Sequence, residues 1–202
     1  DETEYVRQNV VCNARTLPLF GFKDFSSIDD QSIAERSNIL FVAGFAHAPN
    51  EDAAVWFVKD ILPLIWAHGQ AARLFIVGSN PTRAVHDLVN DPRIIVTGYV
   101  TDDELAAFYA KARVVIAPLR FGAGMKGKVI EAMRFGVPVV ATPVGAQGLA
   151  GIKEKLSIHV EAEAFAEAVI KLLTDDAAWR EQAAAQNRYV RDHFSIQRLQ
   201  EF

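Results

Sequence analysis

From residue 38 onward, short apolar runs alternate with segments of helical periodicity. The runs are rich in valine and isoleucine and almost continuously hydrophobic, as expected of strands covered by helices on both faces. Such alternation is typical of repeated βαβ units in a parallel sheet. The pattern therefore predicts a doubly wound α/β sheet of five strands, at residues 39–43, 73–77, 94–97, 114–117 and 137–141.

Helices are predicted at residues 52–66, 82–89, 102–111, 125–135, 161–173, 177–193 and 195–202. Thr101 and the three acids after it form a start signal, since a hydroxyl can cap the first turn and acids favour the positive helix end. Pro63 is expected to bend or end the first helix, because it lacks an N–H. Residues 1–37 do not fit the alternation and are predicted to be an extended connector, including the stretch LPLFGF at 17–22.

Composition narrows the class of protein. At 202 residues, half of them hydrophobic, the chain can bury one domain core. A net charge of −4 and a pI of about 5.7 give no electrostatic reason to expect a nucleic acid partner. Cys12 is the only cysteine, which excludes an internal disulfide and favours a buried thiol in a reducing cytoplasm. No apolar run approaches the length of a membrane helix, and the five histidines lack metal-ligand spacing, so neither a transmembrane segment nor a metal site is expected.

Ligands of open parallel sheets bind beyond the carboxyl ends of the strands. The loops that follow the five predicted strands are residues 44–50, 78–81, 98–101, 118–126 and 142–148. Most of these loops contain glycine. At Gly44 and Gly78 a glycine could serve either a tight turn or close approach of a ligand. Both interpretations remain open from the sequence.

The fourth loop carries the strongest signal. The segment FGAGMKGK, residues 121–128, is called the glycine loop. It joins a strand to a helix and contains three glycines and two lysines. Free backbone N–H groups and the positive helix end suit a phosphate, and Lys126 and Lys128 add charge. Glu131 lies on the same helix face as Lys128 and can accept hydrogen bonds from a ribose diol. A solvated helix face with an ordinary Lys–Glu pair is the alternative.

Two other phosphate motifs overlap this loop. Gly122 to Gly127 spells G-x-G-x-x-G, the dinucleotide motif, but it follows the fourth predicted strand, and the next strand ends at Thr142 without the acid that holds the ribose. A Walker loop requires Ser or Thr after Lys128, where this chain has Val129. A nicotinamide or flavin enzyme and an ATPase are thus secondary hypotheses.

A longer segment, PLRFGAGMKGKVIEAMRFGVPVVAT at 118–142, is followed by Gly145 and by Gly148 with Leu149. It is preceded by residues 39–44, by GYV at 98–100, by Leu105 and by Tyr109 with Ala110. Over roughly residues 38–175 the chain resembles the C-terminal, donor-binding, Rossmann-like half of retaining GT-B glycosyltransferases of family 4. The resemblance implies transfer of a sugar from a nucleoside-diphosphate sugar to an acceptor hydroxyl, with no cofactor and no obligatory metal.

The resemblance also implies a set of site residues. Glu131 matches the ribose-binding carboxylate, Lys128 and the glycine loop match the diphosphate and sugar region, and Tyr99 and Val100 fall near the base. Lys128 and Glu131 are donor-site candidates, while no catalytic residue is assigned. The full donor-binding set is Gly44, Gly78, Tyr99, Val100, Gly122, Ala123, Gly124, Met125, Lys126, Lys128, Val129 and Glu131.

The same resemblance implies a partner and a domain organisation. Residues 1–37 correspond to the connector from an N-terminal acceptor-binding half, 38–175 to the nucleotide-sugar domain, and 176–202 to helices that pack back toward the absent half. The start at Asp1 rather than at Met agrees with a fragment. A cytoplasmic location is expected, with any peripheral membrane contact made through the missing half.

Two positions depart from the family pattern. Ala123 stands where many relatives have the first acid of an E-x7-E motif, and the loop at 44–50 has no Arg or Lys for the diphosphate. These departures favour an alternative in which the domain binds a nucleotide for regulation or assembly and has lost sugar transfer.

Overall fold

The structure is a computed structural model that describes residues 2–10, 21–28 and 33–200. Within them, one sheet contains β1 (Asn38–Val42), β2 (Leu74–Val77), β3 (Ile94–Gly98), β4 (Ala112–Ala117), β5 (Val139–Ala141) and β6 (Ser157–Ile158). All the strand pairs are parallel, and the spatial order is β3-β2-β1-β4-β5-β6. The predicted α/β doubly wound sheet is confirmed. β6 is an addition, because it lies in a region predicted to be a loop.

The chain changes direction across the sheet between two central strands. From β1 it builds outward through β2 to β3, then returns to place β4 on the other side of β1. Every residue of β4 is buried, as are four of the five residues of β1. Helices on both faces cover these strands, which explains their nearly unbroken apolar sequence. The point of reversal between β1 and β4 is where open α/β sheets form a ligand crevice.

The α-helices that lie wholly within the described residues are α1 (Glu2–Asn9), α2 (Ala48–Trp56), α3 (Leu62–Ala67), α4 (Arg83–His86), α5 (Asp102–Lys111), α6 (Gly127–Arg134), α7 (Ala162–Thr174), α8 (Asp176–Phe194) and α9 (Ile196–Leu199). Ile152–Glu154 forms a short 3-10 helix. The capping signal before α5 is confirmed, since Thr101 and Glu104 form a reciprocal capping box. The helix predicted at 52–66 is interrupted by a π-helical turn, Phe57–Ile61, directly before α3. This wider turn accommodates Pro63, which has no N–H for the α-helical ladder.

The long helix α8 is part of this domain. Trp179 is fully buried and its indole N–H donates to the Arg113 carbonyl, while the buried Gln186 side chain accepts from the Val139 N–H at 2.9 Å. Asn187 donates to the Met133 carbonyl at the end of α6. Residues 176–202 were predicted to be helices that pack back toward the missing half, and the structure shows in addition that α8 packs on the sheet of this domain. That these helices also face a missing half stays a prediction.

The first part of the chain differs from the extended connector that was predicted. Glu2–Asn9 forms a helix, so the prediction is wrong there. Farther along, Phe22 makes a parallel bridge to Ser195, and the Ile196 N–H donates to the Phe22 carbonyl at 3.0 Å. Cys12 and residues 17–20 lie outside the described residues. Across the described ranges, no helix is both long and apolar enough to cross a membrane.

Candidate functional site

The loop at residues 118–126 follows β4 and leads into α6. Gly122 and Gly124 have φ angles of 123° and 79°, which L side chains rarely adopt, so glycine is required for this turn. The Arg120 guanidinium binds the carboxylate of Asp52 on α2 through two nitrogens, with Nε to Oδ2 at 2.9 Å. The loop is therefore fixed to the helix that follows β1.

A cavity of about 210 Å³ opens at the point of reversal between β1 and β4. It lies between the carboxyl ends of these strands and the start of α6, the place where a doubly wound sheet binds its ligand. It is lined mainly by apolar residues of β1 and β4, and also by Gly44, by Gly127 at the start of α6 and by two lysines. The lining residues are Phe41, Val42, Ala43, Gly44, Asn50, Val115, Ile116, Ala117, Leu119, Met125, Lys126, Gly127, Lys128 and Val129.

The loop after β5 packs against the loop after β4. The buried Thr142 hydroxyl, just after β5, donates to the Leu119 carbonyl and accepts from the Gly145 N–H at 3.1 Å. Gly148 lies so close to Met125 that an added Cβ would be 3.1 Å from its side chain. In the sequence, Thr142 was considered only as the end of a strand that lacks the ribose-binding acid of dinucleotide-binding proteins. These contacts give the loop after β5 the role of a platform for the candidate site.

Lys126 bends back onto its own loop. Its ammonium donates to the carbonyls of Gly124 at 2.6 Å and Ala123 at 3.2 Å. Burial lowers the pKa of the Lys126 ammonium from its ordinary value. Lys126 thus stabilises the turn and contributes positive potential to the cavity that it lines.

The start of α6 brings together the two strongest predicted residues. The Lys128 ammonium lies 2.8 Å from Oε2 of Glu131, and the two side chains are 51% and 24% exposed. The Tyr109 hydroxyl on α5 donates to the same Oε2 at 3.0 Å. Among the described residues, no hydrogen bond is made to Oε1 of Glu131, and no side chain caps the first turn of α6. A carboxylate oxygen and free backbone N–H groups are consequently present at one helix end.

Tyr109 was missed as a site residue by sequence reasoning. Its ring is fully buried and stacks on Phe135, with ring centres 4.7 Å apart. Burial, followed by the charge of Glu131 and the hydrogen bond to it, raises the pKa of the Tyr109 phenol well above its ordinary value. The phenol therefore stays protonated and donates to Glu131. Twenty-two residues separate the two along the chain, so no local spacing could reveal the contact.

Among the remaining predicted residues, those that do not line the cavity are Gly78, Tyr99, Val100, Gly122, Ala123 and Gly124. Gly78, after β2, has a structural need for glycine, because an added Cβ would be 1.7 Å from the Ala43 carbonyl oxygen. Tyr99 is 79% exposed after β3, and Val100 packs partly against the core. Gly44 lines the cavity and leaves room for a Cβ. Contact of Gly78, Tyr99 and Val100 with a donor stays a prediction.

A family model described as glycosyl transferases group 1 matches residues 36–175, well over half of the chain. The chain belongs to this glycosyltransferase family. The match includes β1 to β5, the glycine loop, α6 and α7, hence every element of the candidate site. The fold is that of the C-terminal domain of a GT-B glycosyltransferase. Family membership favours the nucleotide-sugar interpretation of the glycine loop over the dinucleotide and Walker alternatives.

Two curated relatives of this glycosyltransferase domain are similar over most of its length. An uncharacterised 44.6 kDa protein in the cps region of Klebsiella pneumoniae is 24% identical over 177 residues, which are 84% of this chain and 46% of that protein. A GDP-mannose-dependent alpha-(1-6)-phosphatidylinositol monomannoside mannosyltransferase of Mycobacterium tuberculosis is 30% identical over 178 residues, which are 78% of this chain and 45% of that protein. The chain spans about half the length of the curated relatives it matches.

Solved structures give the same fold at low identity. The structure of a mutant of S. aureus TarM, in complex with fondaparinux, alpha-GlcNAc-glycerol and UDP, superposes with a TM-score of 0.75. The identity is 15%, and the alignment covers 99% of this chain and 41% of TarM. The glycosyltransferase domain described here therefore matches part of a longer chain in sequence and in structure.

Proposed function

We propose that this chain is the donor-binding half of a retaining GT-B glycosyltransferase of family 4. It would bind a nucleoside-diphosphate sugar and, with an acceptor-binding half of the same protein, transfer the sugar to an acceptor hydroxyl with retention of configuration. The observation that carries the proposal is the cavity between β1 and β4, into which the start of α6 brings backbone N–H groups and Lys128, with Glu131 beside them.

The chemistry at this site would be mainly electrostatic. Departure of a nucleoside diphosphate develops negative charge, which Lys128 and the positive end of α6 stabilise without requiring a metal. Lys126 adds to this potential from the loop. The Oε1 atom of Glu131 would accept hydrogen bonds from the ribose diol. The described residues thus supply binding and charge compensation, and no general base is assigned among them.

The first ligands to test come from the relatives. The M. tuberculosis relative is named as GDP-mannose-dependent, and the TarM structure contains UDP. GDP and UDP are therefore the first candidates for this chain. Tyr99 and Val100, which are expected near the base, lie outside the cavity lining, so both bases are tested side by side.

Calorimetry on this chain tests the proposal directly. UDP, GDP and ADP are titrated beside UMP, GMP and AMP, with NAD⁺ and ATP as probes of the dinucleotide and Walker alternatives. We expect binding of at least one diphosphate, weaker binding of its monophosphate, and a rise in thermal stability that follows ligand concentration. Failure of all three diphosphates to bind at millimolar concentration, or tighter binding of NAD⁺, would contradict the proposed function.

A second function is favoured by one feature. The loop after β1 closes on itself, with the Asn50 amide donating to the Gly44 carbonyl at 2.8 Å, and it carries no Arg or Lys toward the diphosphate. A domain that binds a nucleotide for regulation or assembly would need less positive charge than a transferase. Product analysis of the complete protein with several donors separates the two, since tight nucleotide binding without turnover would support the second.

A cytoplasmic location belongs to the same proposal. Nucleotide sugars would meet the domain there, and any contact with a membrane would be made through the acceptor-binding half. Fractionation of cells that express the complete protein tests this, because recovery outside the cytoplasm would contradict it.

A further inference from the structure

The Glu131 carboxylate has two donors of different kinds on one oxygen. Lys128 donates to Oε2 from a side chain that is about half exposed, with the ammonium 2.8 Å away. Tyr109 donates to Oε2 from a fully buried ring on a neighbouring helix. In the described part of the chain, Oε1 accepts no hydrogen bond. Both donors therefore act on the oxygen that is not offered to a ligand.

We propose that Tyr109 is a positioning residue of the donor site, whose hydroxyl holds Glu131 so that Oε1 faces the ribose diol. This inference rests on the proposed function, and it adds a residue from α5 to a site otherwise built by the glycine loop and α6. Tyr109 touches neither the ribose nor the diphosphate. It acts through the carboxylate.

The ring of Tyr109 is fixed on several sides. It stacks nearly parallel on Phe135, with an angle of 14° between the rings. The backbone carbonyl of Tyr109 accepts from the Arg36 guanidinium at 2.8 Å, and α5 begins at the capping box of Thr101. A hydroxyl on such a ring has little freedom, so its hydrogen bond restricts the carboxylate to one orientation.

Lys128 cannot do this alone. Its ammonium sits on a flexible four-carbon stem, and a bound diphosphate would compete with Glu131 for it. Exposed pairs of this kind contribute little and are screened by salt. Once Lys128 turns to the diphosphate, Tyr109 is the described donor that remains on Oε2. Positioning by Tyr109 is thus most important in the liganded state.

The test compares removal of two buried hydroxyls. Tyr109→Phe keeps the ring stack and deletes only the donor to Glu131. Tyr189→Phe is the matched control, because Tyr189 is also buried and its hydroxyl donates to a backbone carbonyl, that of Ala150, at 2.9 Å. Each variant is titrated with UDP and GDP and with their 2′,3′-dideoxy analogues, which lack the diol. Circular dichroism and thermal melts check the fold.

For the ribonucleotide that binds, we expect Tyr109→Phe to weaken affinity about fivefold, on the order of the net contribution of one hydrogen bond, because the ribose would meet a less firmly oriented Glu131. Affinity for the dideoxy analogue should not change, and Tyr189→Phe should alter neither. A general packing defect would instead weaken both ligands equally, which would overturn the inference. The ratio between the two ligands is therefore the readout that separates positioning from structural support.

A Glu131→Gln background distinguishes failure of the inference from failure of the proposed function. If Tyr109 acts through Glu131, Tyr109→Phe should have no further effect on the ligand ratio once the carboxylate is gone. Sensitivity of the ratio to Glu131→Gln, without sensitivity to Tyr109→Phe, would overturn the inference alone. Absence of UDP, GDP and ADP binding to the unmodified chain would overturn the proposed function and the inference with it.

Discussion

At the scale of single residues, the candidate site depends on how one carboxylate is surrounded. Glu131 is about three-quarters buried, and its charge is balanced by the Lys128 ammonium and by a phenol hydrogen bond. Its second oxygen, Oε1, accepts no hydrogen bond within the described residues and is not buried, so it is open to donors from water or a ligand. A ribose diol would provide two such donors, which is why the proposed ligand fits this arrangement.

Replacement of Glu131 by alanine should weaken binding of nucleoside diphosphates about tenfold or more, since charged hydrogen bonds contribute roughly 1.5–3 kcal/mol. Calorimetry measures the change, and circular dichroism confirms the fold. Glu181→Ala, which removes an exposed glutamate from α8, is the control and should leave affinity unchanged. Equal affinities of the Glu131 variant and the unmodified chain would remove this carboxylate from the site.

Lys128→Ala should weaken diphosphates more than nucleosides, because its proposed partner is phosphate. The difference should shrink as salt is added, since the side chain is about half exposed and its charge is screened. Titrations of UDP and uridine at low and high salt give the comparison. The same loss for both ligands would indicate disturbance of Glu131 or of α6 rather than loss of a phosphate contact.

Sequence reasoning found some of these residues and missed others for a physical reason. Lys128 and Glu131 are three positions apart, so helix geometry alone places them on one face. Tyr109 and Thr142 act through contacts between separate elements, α5 with α6 and the loop after β5 with the loop after β4. Such contacts depend on how the elements pack, which periodicity does not specify.

At the scale of elements, the ends of β1 and β2 pack closely enough to require glycine. A Cβ on Gly78 would meet the Ala43 carbonyl at 1.7 Å, and the φ of 148° is itself unfavourable for other residues. We expect Gly78→Ala to destabilise the chain by at least about 3 kcal/mol, through backbone strain and overpacking. Urea unfolding measures this.

Gly44→Ala provides the matched comparison, because the nearest atom to its added Cβ is the Ser79 hydroxyl at 3.7 Å and its φ is not in the left-handed region. Its cost should be within about 1 kcal/mol, the ordinary range for a substitution that creates no clash. Equal stabilities of the two variants would contradict the assignment of Gly78 to strand packing.

The elements themselves were largely predictable, with informative exceptions. The five apolar runs and the capping signal of α5 are confirmed, because buried parallel strands and capped helices leave direct patterns in sequence. β6 was missed because it has two residues, Ser157 and Ile158, too few to show periodicity. The π-helical turn before Pro63 accommodates the missing backbone N–H of proline. The spacing of apolar residues does not indicate whether a helix will do so by a π-helical turn or by a bend.

At the scale of the whole molecule, the packing joins distant parts of the chain. α8 lies against the sheet through Trp179 and Gln186, and the segment around Phe22 is hydrogen-bonded to the end of α8. Residues that sequence reasoning separated into connector and tail thus meet on one side of the domain. The segment around Phe22 also contacts the end of α6, since the Ser26 N–H donates to the Arg134 carbonyl at 3.1 Å.

The last prediction is that this chain alone binds the donor but transfers no sugar. As proposed, the reaction takes place between two halves, and the chain spans about half the length of the curated relatives it matches. Holding donor and acceptor together in the reactive geometry can lower a barrier by roughly 7–11 kcal/mol, and one half would lack the surface that orients the acceptor. Slow hydrolysis of the donor by water is then the most activity expected.

Incubation of this chain with labelled UDP- and GDP-sugars and a mixed acceptor library measures the outcome, and the complete protein is the positive control. Binding should be retained in calorimetry, while labelled transfer product should form only with the complete protein. Efficient transfer by this chain alone would contradict the proposed division of labour, because an acceptor would then have to bind to the elements described here. In that case, the side of the domain where the segment around Phe22 meets α8 and α9 would be the first place to search for it.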